Sequence, residues 1–170
     1  VKARLLNAMF FGVPQSRERM IFIGVREDIG REPSHPAGWS VPITAGAAIE
    51  GADAVPLGRP TACVRAVSSK IRQGGNAGDH TANGIAFSVI RLDPSRPAPC
   101  ITKSLAGTSG VMQPAGDSYL SAHQLERLAS FPDAFALTGR SVEKWARVGN
   151  SVPPLLMRSI ARHVRTLIAR

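Results

Sequence analysis

Three strong polar donors, Gln15, Arg17 and Arg19, stand directly before the mostly apolar run Met20 to Val25. They occupy every second position, so in extended chain their side chains share one face. An amide and two guanidiniums in a row at the mouth of a buried strand suit a phosphate or a polar planar ligand, because each guanidinium presents a rigid fork of donors. Gly12-Val13-Pro14 ahead of them reads as a turn, and the apolar run as a buried strand. A second group of donors lies between Arg72 and Gly84, in RQGGNAGDHTANG. The glycines there predict a flexible loop with amide and guanidinium tips.

Other chemistries find little support. Cys63 and Cys100 lie in unlike contexts, and neither has a cysteine or histidine at metal-ligand spacing. His35, His80, His123 and His163 are scattered, so no metal is expected. Two thiols make no disulfide scaffold, and a reducing compartment is the default. Lys and Arg number 21 against 12 Asp and Glu, a formal charge of +9. Such a balance favours a polyanionic partner, nucleic acid foremost. No apolar stretch reaches the ~18–20 residues of a membrane span, and no signal-peptide pattern opens the chain. A cytoplasmic, nucleic-acid-associated protein is the expectation. The sequence opens on Val1, close to a strand, which reads as part of something longer.

The elements that must position these residues follow from patterning. Residues 1–30 read as a hairpin, with strands at Leu5 to Ala8 and Met20 to Val25. Prolines and glycines break residues 31–60, except for a short helix at Ala45 to Glu50 capped by Thr44. Short β-like runs follow at Ile85 to Ile90 and Cys100 to Thr102. Ser121 and Gln124 form a capping box for a helix, and Leu120 with Leu125 its hydrophobic staple. Phe131-Pro132-Asp133 ends that helix. A final helix begins near Ser151, with Pro153 and Pro154 in its first turn. Leu156, Ile160, Val164, Leu167 and Ile168 form its apolar stripe, and Arg158, Arg162 and Arg165 a separate basic face of the kind that is ordinarily solvated.

Three segments now stand in order: Asn7 to Arg19 with its apolar strand; Arg91 to Thr102, with Leu120-Ser121 and Arg127 to Asp133 downstream; and Gly149-Asn-Ser-Val-Pro-Pro154. Together they resemble the C-terminal part of the DNA cytosine-5 methyltransferases, and within the family Leu120 to Pro154 looks most like phage- and prophage-type bacterial enzymes. The first looks like the family's Gln-x-Arg-x-Arg motif, the second like its penultimate motif and the third like its last. The resemblance implies an α/β fold. Residues 1–30 would be the last strands of a Rossmann-like catalytic domain, residues 31–139 a small, mainly β target-recognition domain, and residues 140–170 a closing helix returning to the catalytic domain.

It also implies methyl transfer from S-adenosylmethionine to C5 of a cytosine flipped out of double-stranded DNA, as in restriction-modification. Arg19 would be the arginine on the pyrimidine's O2 side. Arg17 would brace the catalytic loop or the backbone, and Gln15 would fix the turn that aims both and count among the DNA contacts. Asn150 and Val152 would meet the cofactor. Lys70, Arg72, Gln73 and Asn76 suit base edges, Arg for guanine and Gln or Asn for adenine. Lys103 and Arg65 suit phosphates.

The sequence holds no Phe-x-Gly-x-Gly cofactor loop, no Pro-Cys catalytic loop and no Glu-Asn-Val segment. Cys100 follows Pro99 but stands where the family usually has threonine, so it reads as a small packed residue. Without a thiolate this chain is expected to be inactive alone. An N-terminal half, in the same gene or as a separate subunit, would complete it, and a non-catalytic DNA-binding remnant is the alternative. Apolar edges left uncovered should drive self-association.

Overall fold

The computed structural model describes residues 1–169, so the last residue of the expected 140–170 segment lies outside them. The chain opens with an antiparallel hairpin, β1 (Lys2–Asn7) and β2 (Glu18–Ile23), in a register that sets Leu5 opposite Met20 and Leu6 opposite Arg19. A 3-10 turn, Ala8–Phe11, leads out of β1, with the Asn7 side chain accepting from the Met9 N–H. Gly12 then takes a left-handed φ of 77°. A side chain there would be strained, and its Cβ would come within 2.7 Å of the Trp39 ring.

Residues 31–44 have no regular structure and lead into α1 (Ala45–Ile49), whose first turn is capped by the Thr44 hydroxyl as the sequence predicts. Next come α2 (Ala62–Ala66) and β3 (Ser88–Arg91). β3 pairs in parallel with β4 (Ser109–Met112). Then follow α3 (Ala122–Leu128), α4 (Ser141–Asn150) and α5 (Pro154–Ile168). α3 carries the expected Ser121–Gln124 capping box, and both staple residues, Leu120 and Leu125, are fully buried.

Two apolar cores result. The larger gathers Val64, Ile71, Val89, Leu92, Ile101, Met112, Tyr119, Leu125, Leu128, Trp145 and Val148. The smaller joins the hairpin to the last helix through Leu6, Phe11, Val13, Ile23, Leu156 and Ile160. This arrangement differs from the sequence reading in several places. Cys100 to Thr102 is not a strand, and the regular part of the Ile85–Ile90 run begins only at Ser88. Among the described residues, 31–139 hold two four-residue strands amid short helical turns, because prolines and glycines recur too often for longer ladders. Helices α2 and α4 were not foreseen. Trp145 and Val148 of α4 pack in the larger core, so within residues 140–169 only α5 returns to the hairpin. Ile168, assigned to the apolar stripe of α5, is half exposed and joins neither core.

Candidate active site

Gln15 and Arg17 are the stitching points of the molecule. Main-chain bonds first set Pro14–Ser16 beside Ala98: Ser16 N–H donates to the Ala98 carbonyl at 2.9 Å, and Ala98 N–H to Pro14 at 3.0 Å. Gln15 is then 1% exposed. Its amide nitrogen donates to the Leu128 carbonyl and its amide oxygen accepts from the Ile101 N–H, both at 3.4 Å. The expectation that Gln15 touches DNA is therefore corrected: both ends of its amide are spent inside the protein.

Arg17 is likewise buried. Its guanidinium donates to the carbonyls of Ile101 at 2.9 Å, Gly149 at 2.7 Å and Ser151 at 3.1 Å, and Nη1 also lies 3.4 Å from Cys100 Sγ. One planar fork thus holds together the three segments singled out in the sequence. No carboxylate pairs with it among the described residues. Burial pulls its pKa below the ordinary arginine value, Cys100 opposes this and Arg19 adds to it. Its Nε is buried without a partner. Among the described residues, every hydrogen bond of this guanidinium goes to main-chain carbonyls or to Cys100.

Arg19 lies two residues further on, within β2, and is exposed. Its Nη1 donates only to the neighbouring Glu18 carbonyl among the described residues, so the guanidinium is available to a ligand. Asn150 also differs from expectation in position. It is the last residue of α4, not the opening of the final helix. Gly149 beside it is buried, and a Cβ there would lie 2.3 Å from the Thr102 carbonyl oxygen, so only glycine permits this approach of α4 to residues 102–103. Asn150 itself is exposed, and Val152, 45% exposed, follows it. Arg17 grips the two carbonyls on either side of Asn150. An amide with no hydrogen bond among the described residues, next to an exposed apolar side chain, suits a ligand with both polar and apolar parts.

Arg72 and Gln73 are exposed and stand between two clefts. One, of about 610 Å³, is walled by Ser68–Ser69, Arg91 and residues 114–117. The other, of about 520 Å³, reaches from Gln73 past Asp93 and Arg96 to Ser16, the neighbour of Arg17. Lys70, Lys103 and Arg65 are exposed as well. Asn76 is not free for base edges. Its side chain accepts from the Asp79 N–H at 3.1 Å and donates to the Asp79 carboxylate at 3.0 Å, capping the 3-10 turn Ala77–His80.

Sequence reasoning missed Arg91. This buried side chain donates to the carbonyls of Ile71, Ser68, Gln113 and Gly116 at 2.6–3.2 Å, tying the two walls of the larger cleft together. Burial lowers its pKa. The signal available was an arginine ending a strand in the second segment. The role of Gly149 in helix approach was missed too, because α4 was not foreseen.

The profile of the family described as C-5 cytosine-specific DNA methylase matches residues 1–51 and 58–166. The chain belongs to this family. Among curated relatives it is 32% identical, over 96% of its length, to the type II methyltransferase M1.HphI of Haemophilus parahaemolyticus, covering 47% of that protein. It is 30% identical to M.NgoFVII of Neisseria gonorrhoeae, covering 49% of it. The chain thus spans about half the length of these relatives. The type II methyltransferase M.AquIB of Picosynechococcus matches at 31% over 106 residues, which make up 74% of it, so that relative is itself a short chain. Among solved structures, a putative DNA modification methyltransferase encoded within an E. coli prophage superposes with a TM-score of 0.76 at 16% identity, over 99% of this chain and 60% of the other. The likeness supports the α/β fold of the family's methyltransferases. Among the described residues no group of three His, Cys, Asp or Glu gathers as a metal site, and no helix is long and apolar enough to cross a membrane.

Proposed function

We propose that this chain supplies the DNA-recognition lobe, a base-contacting arginine and part of the cofactor pocket of a DNA cytosine-5 methyltransferase, completed by an N-terminal half that carries the nucleophile. The observation that carries this reading is the Arg17 guanidinium. By gripping Ile101, Gly149 and Ser151 it sets exposed Arg19, exposed Asn150 and the Ser16 end of the recognition cleft on one framework. Arg19 holds positive charge where negative charge develops on the cytosine O2 during addition of the nucleophile at C6. Arg72 and Gln73 read base edges from the clefts they border. Lys70, Arg65 and Lys103 neutralise backbone phosphates.

The donor set at Asn150 fits S-adenosylmethionine, which when bound would supply the electrophilic methyl group. The Asn150 amide would hold its amino-acid end and Val152 would pack against its apolar part. Arg17 keeps both in place without touching the reacting atoms.

The test is complementation. The chain is co-expressed with an N-terminal half from the family that carries the Pro-Cys loop, and transfer of labelled methyl to DNA is measured. Activity is expected only with both halves. Arg19→Ala should lower it about 10²–10³-fold, the usual loss for one donor to a developing oxyanion. Absence of methylation by a verified, folded pair would defeat the proposal. The short relative M.AquIB favours the reading in which the two halves are separate subunits over the non-catalytic remnant.

A further inference from the structure

Away from these clefts, α5 carries Arg158, Arg162 and Arg165 and no acidic residue over its whole length. All three side chains are exposed, and none joins an ion pair among the described residues. Arg158 and Arg162 are one helical turn apart, a spacing at which like charges repel. An anion seated between them turns that repulsion into attraction.

A seat is present. A groove of about 350 Å³ is lined by Pro36, Trp39, Arg158, Ser159 and Arg162. Trp39 is 59% exposed, yet it is held in place. Its indole N–H donates to the Ser159 hydroxyl at 3.1 Å, and its main-chain N–H to the Phe10 carbonyl at 3.0 Å. The ring lies against Gly12. Just upstream, Ser34 bonds to His163 and His35 to the Ile21 carbonyl, both at 2.9 Å, strapping the segment down. A fixed indole beside two unpaired guanidiniums joins a stacking platform to a phosphate clamp, the combination that binds single-stranded nucleic acid. Bases within a duplex already stack on one another. Only an unpaired base has a face to offer Trp39.

We infer that Trp39, Arg158 and Arg162 form a second nucleic-acid site, for an unpaired strand whose base stacks on Trp39 while its flanking phosphates meet Arg158 and Arg162. No residue of this groove lines the clefts beside Arg72 and Gln73, so the site stands apart from duplex recognition.

Fluorescence tests it directly. The chain has two tryptophans, and Trp145 is fully buried, so a ligand-dependent change in emission reports Trp39. A short oligothymidylate should quench that emission and protect it from acrylamide. The double variant Arg158→Ala, Arg162→Ala alters only exposed side chains. It should lower the slope of log K against log salt by about 1.4, at ~0.7 per single-strand phosphate contact. Arg72→Ala with Gln73→Ala should leave both readouts unchanged, even if the proposed duplex recognition fails. Emission unmoved by saturating oligonucleotide, or an unchanged salt slope in the α5 variant, overturns the site. Equal quenching by inorganic phosphate alone, or by a duplex of the same length, overturns its assignment to an unpaired strand.

Discussion

At the scale of single residues, Arg17 shows how a charge can be structural. Its guanidinium bonds three main-chain carbonyls from two distant segments, with no carboxylate paired to it among the described residues. Replacing it with methionine relieves the burial of a charge but leaves those carbonyls without donors. With each unsatisfied buried group costing ~1–3 kcal/mol, the loss should win by about 2–4 kcal/mol. Arg17→Lys should cost nearly as much, because a point ammonium cannot span the same fork. Urea denaturation of both variants measures this, and a lysine variant as stable as the parent would refute the bracing role. Glu126 makes the opposite case. It is 6% exposed, and burial raises its pKa above the ordinary carboxylate value, although the Leu137 N–H donates to it. A raised folded-state pKa means that the folded chain holds this proton more tightly. Its contribution is most favourable below the ordinary glutamate pKa and is lost as pH rises through the raised one. Glu126→Gln keeps an acceptor for Leu137 and removes the buried charge. Its melting temperature should exceed the parent's at neutral pH, and the difference should shrink in acid.

At the scale of elements, the approach of α4 to residues 102–103 decides how the larger core is closed. The Trp145 indole N–H donates to the Thr102 carbonyl at 2.9 Å, and the same carbonyl lies against Gly149. The atoms that a Cβ at Gly149 would meet are all main chain, at 2.3–2.6 Å, and none can swing aside. Gly149→Ala should therefore push helix and segment apart and destabilise the chain by ~1–3 kcal/mol, the cost of overpacking. Under the role proposed for Asn150, which follows directly, it should also weaken cofactor binding in the complemented enzyme. Thermal melting and equilibrium dialysis with S-adenosylmethionine check the two effects. Unchanged values in both would show that the helix has room to move. The motif Gly-Asn-Ser-Val was legible in the sequence, but its placement at the end of one helix was not. A turn opening the final helix and a residue closing the preceding one use the same residue types.

At the scale of the whole molecule, the hairpin has one covered face and one bare. Leu6 and Ile23 pack in the smaller core, while Leu5, Met20 and Phe22 are 52%, 53% and 69% exposed. Leu5 lies directly opposite Met20, and Ala3 opposite Phe22, so the bare side chains form one continuous strip. An isolated two-stranded ribbon with such a strip invites pairing with another chain. The chain alone should self-associate in sedimentation experiments, and Leu5→Lys with Phe22→Lys should shift it toward monomer. A monomeric parent at high concentration would count against the strip as a contact surface. Adding an N-terminal half that restores activity should abolish the self-association as well.

By itself the sequence determined the pairing of the hairpin, though not that Met20 and Phe22 of its second strand, expected to be buried, are exposed; it also determined the capped helices at Thr44 and Ser121, the apolar stripe of α5 short of Ile168 and the three segments that mark the family. These rest on local rules of spacing, capping and alternation, which act over a few residues. Tertiary structure alone decided that Gln15 turns inward, that Arg17 holds distant main-chain carbonyls, that Arg91 ties the cleft walls and that α4 belongs to the larger core. Each of these depends on contacts between residues from 20 to more than 130 positions apart, whereas the Asn76 side chain is taken up by a local cap three residues long. Whether a guanidinium or an amide serves a ligand or the chain's own carbonyls is settled by which partner folding brings within about 3 Å. No pattern along the sequence carries that distance.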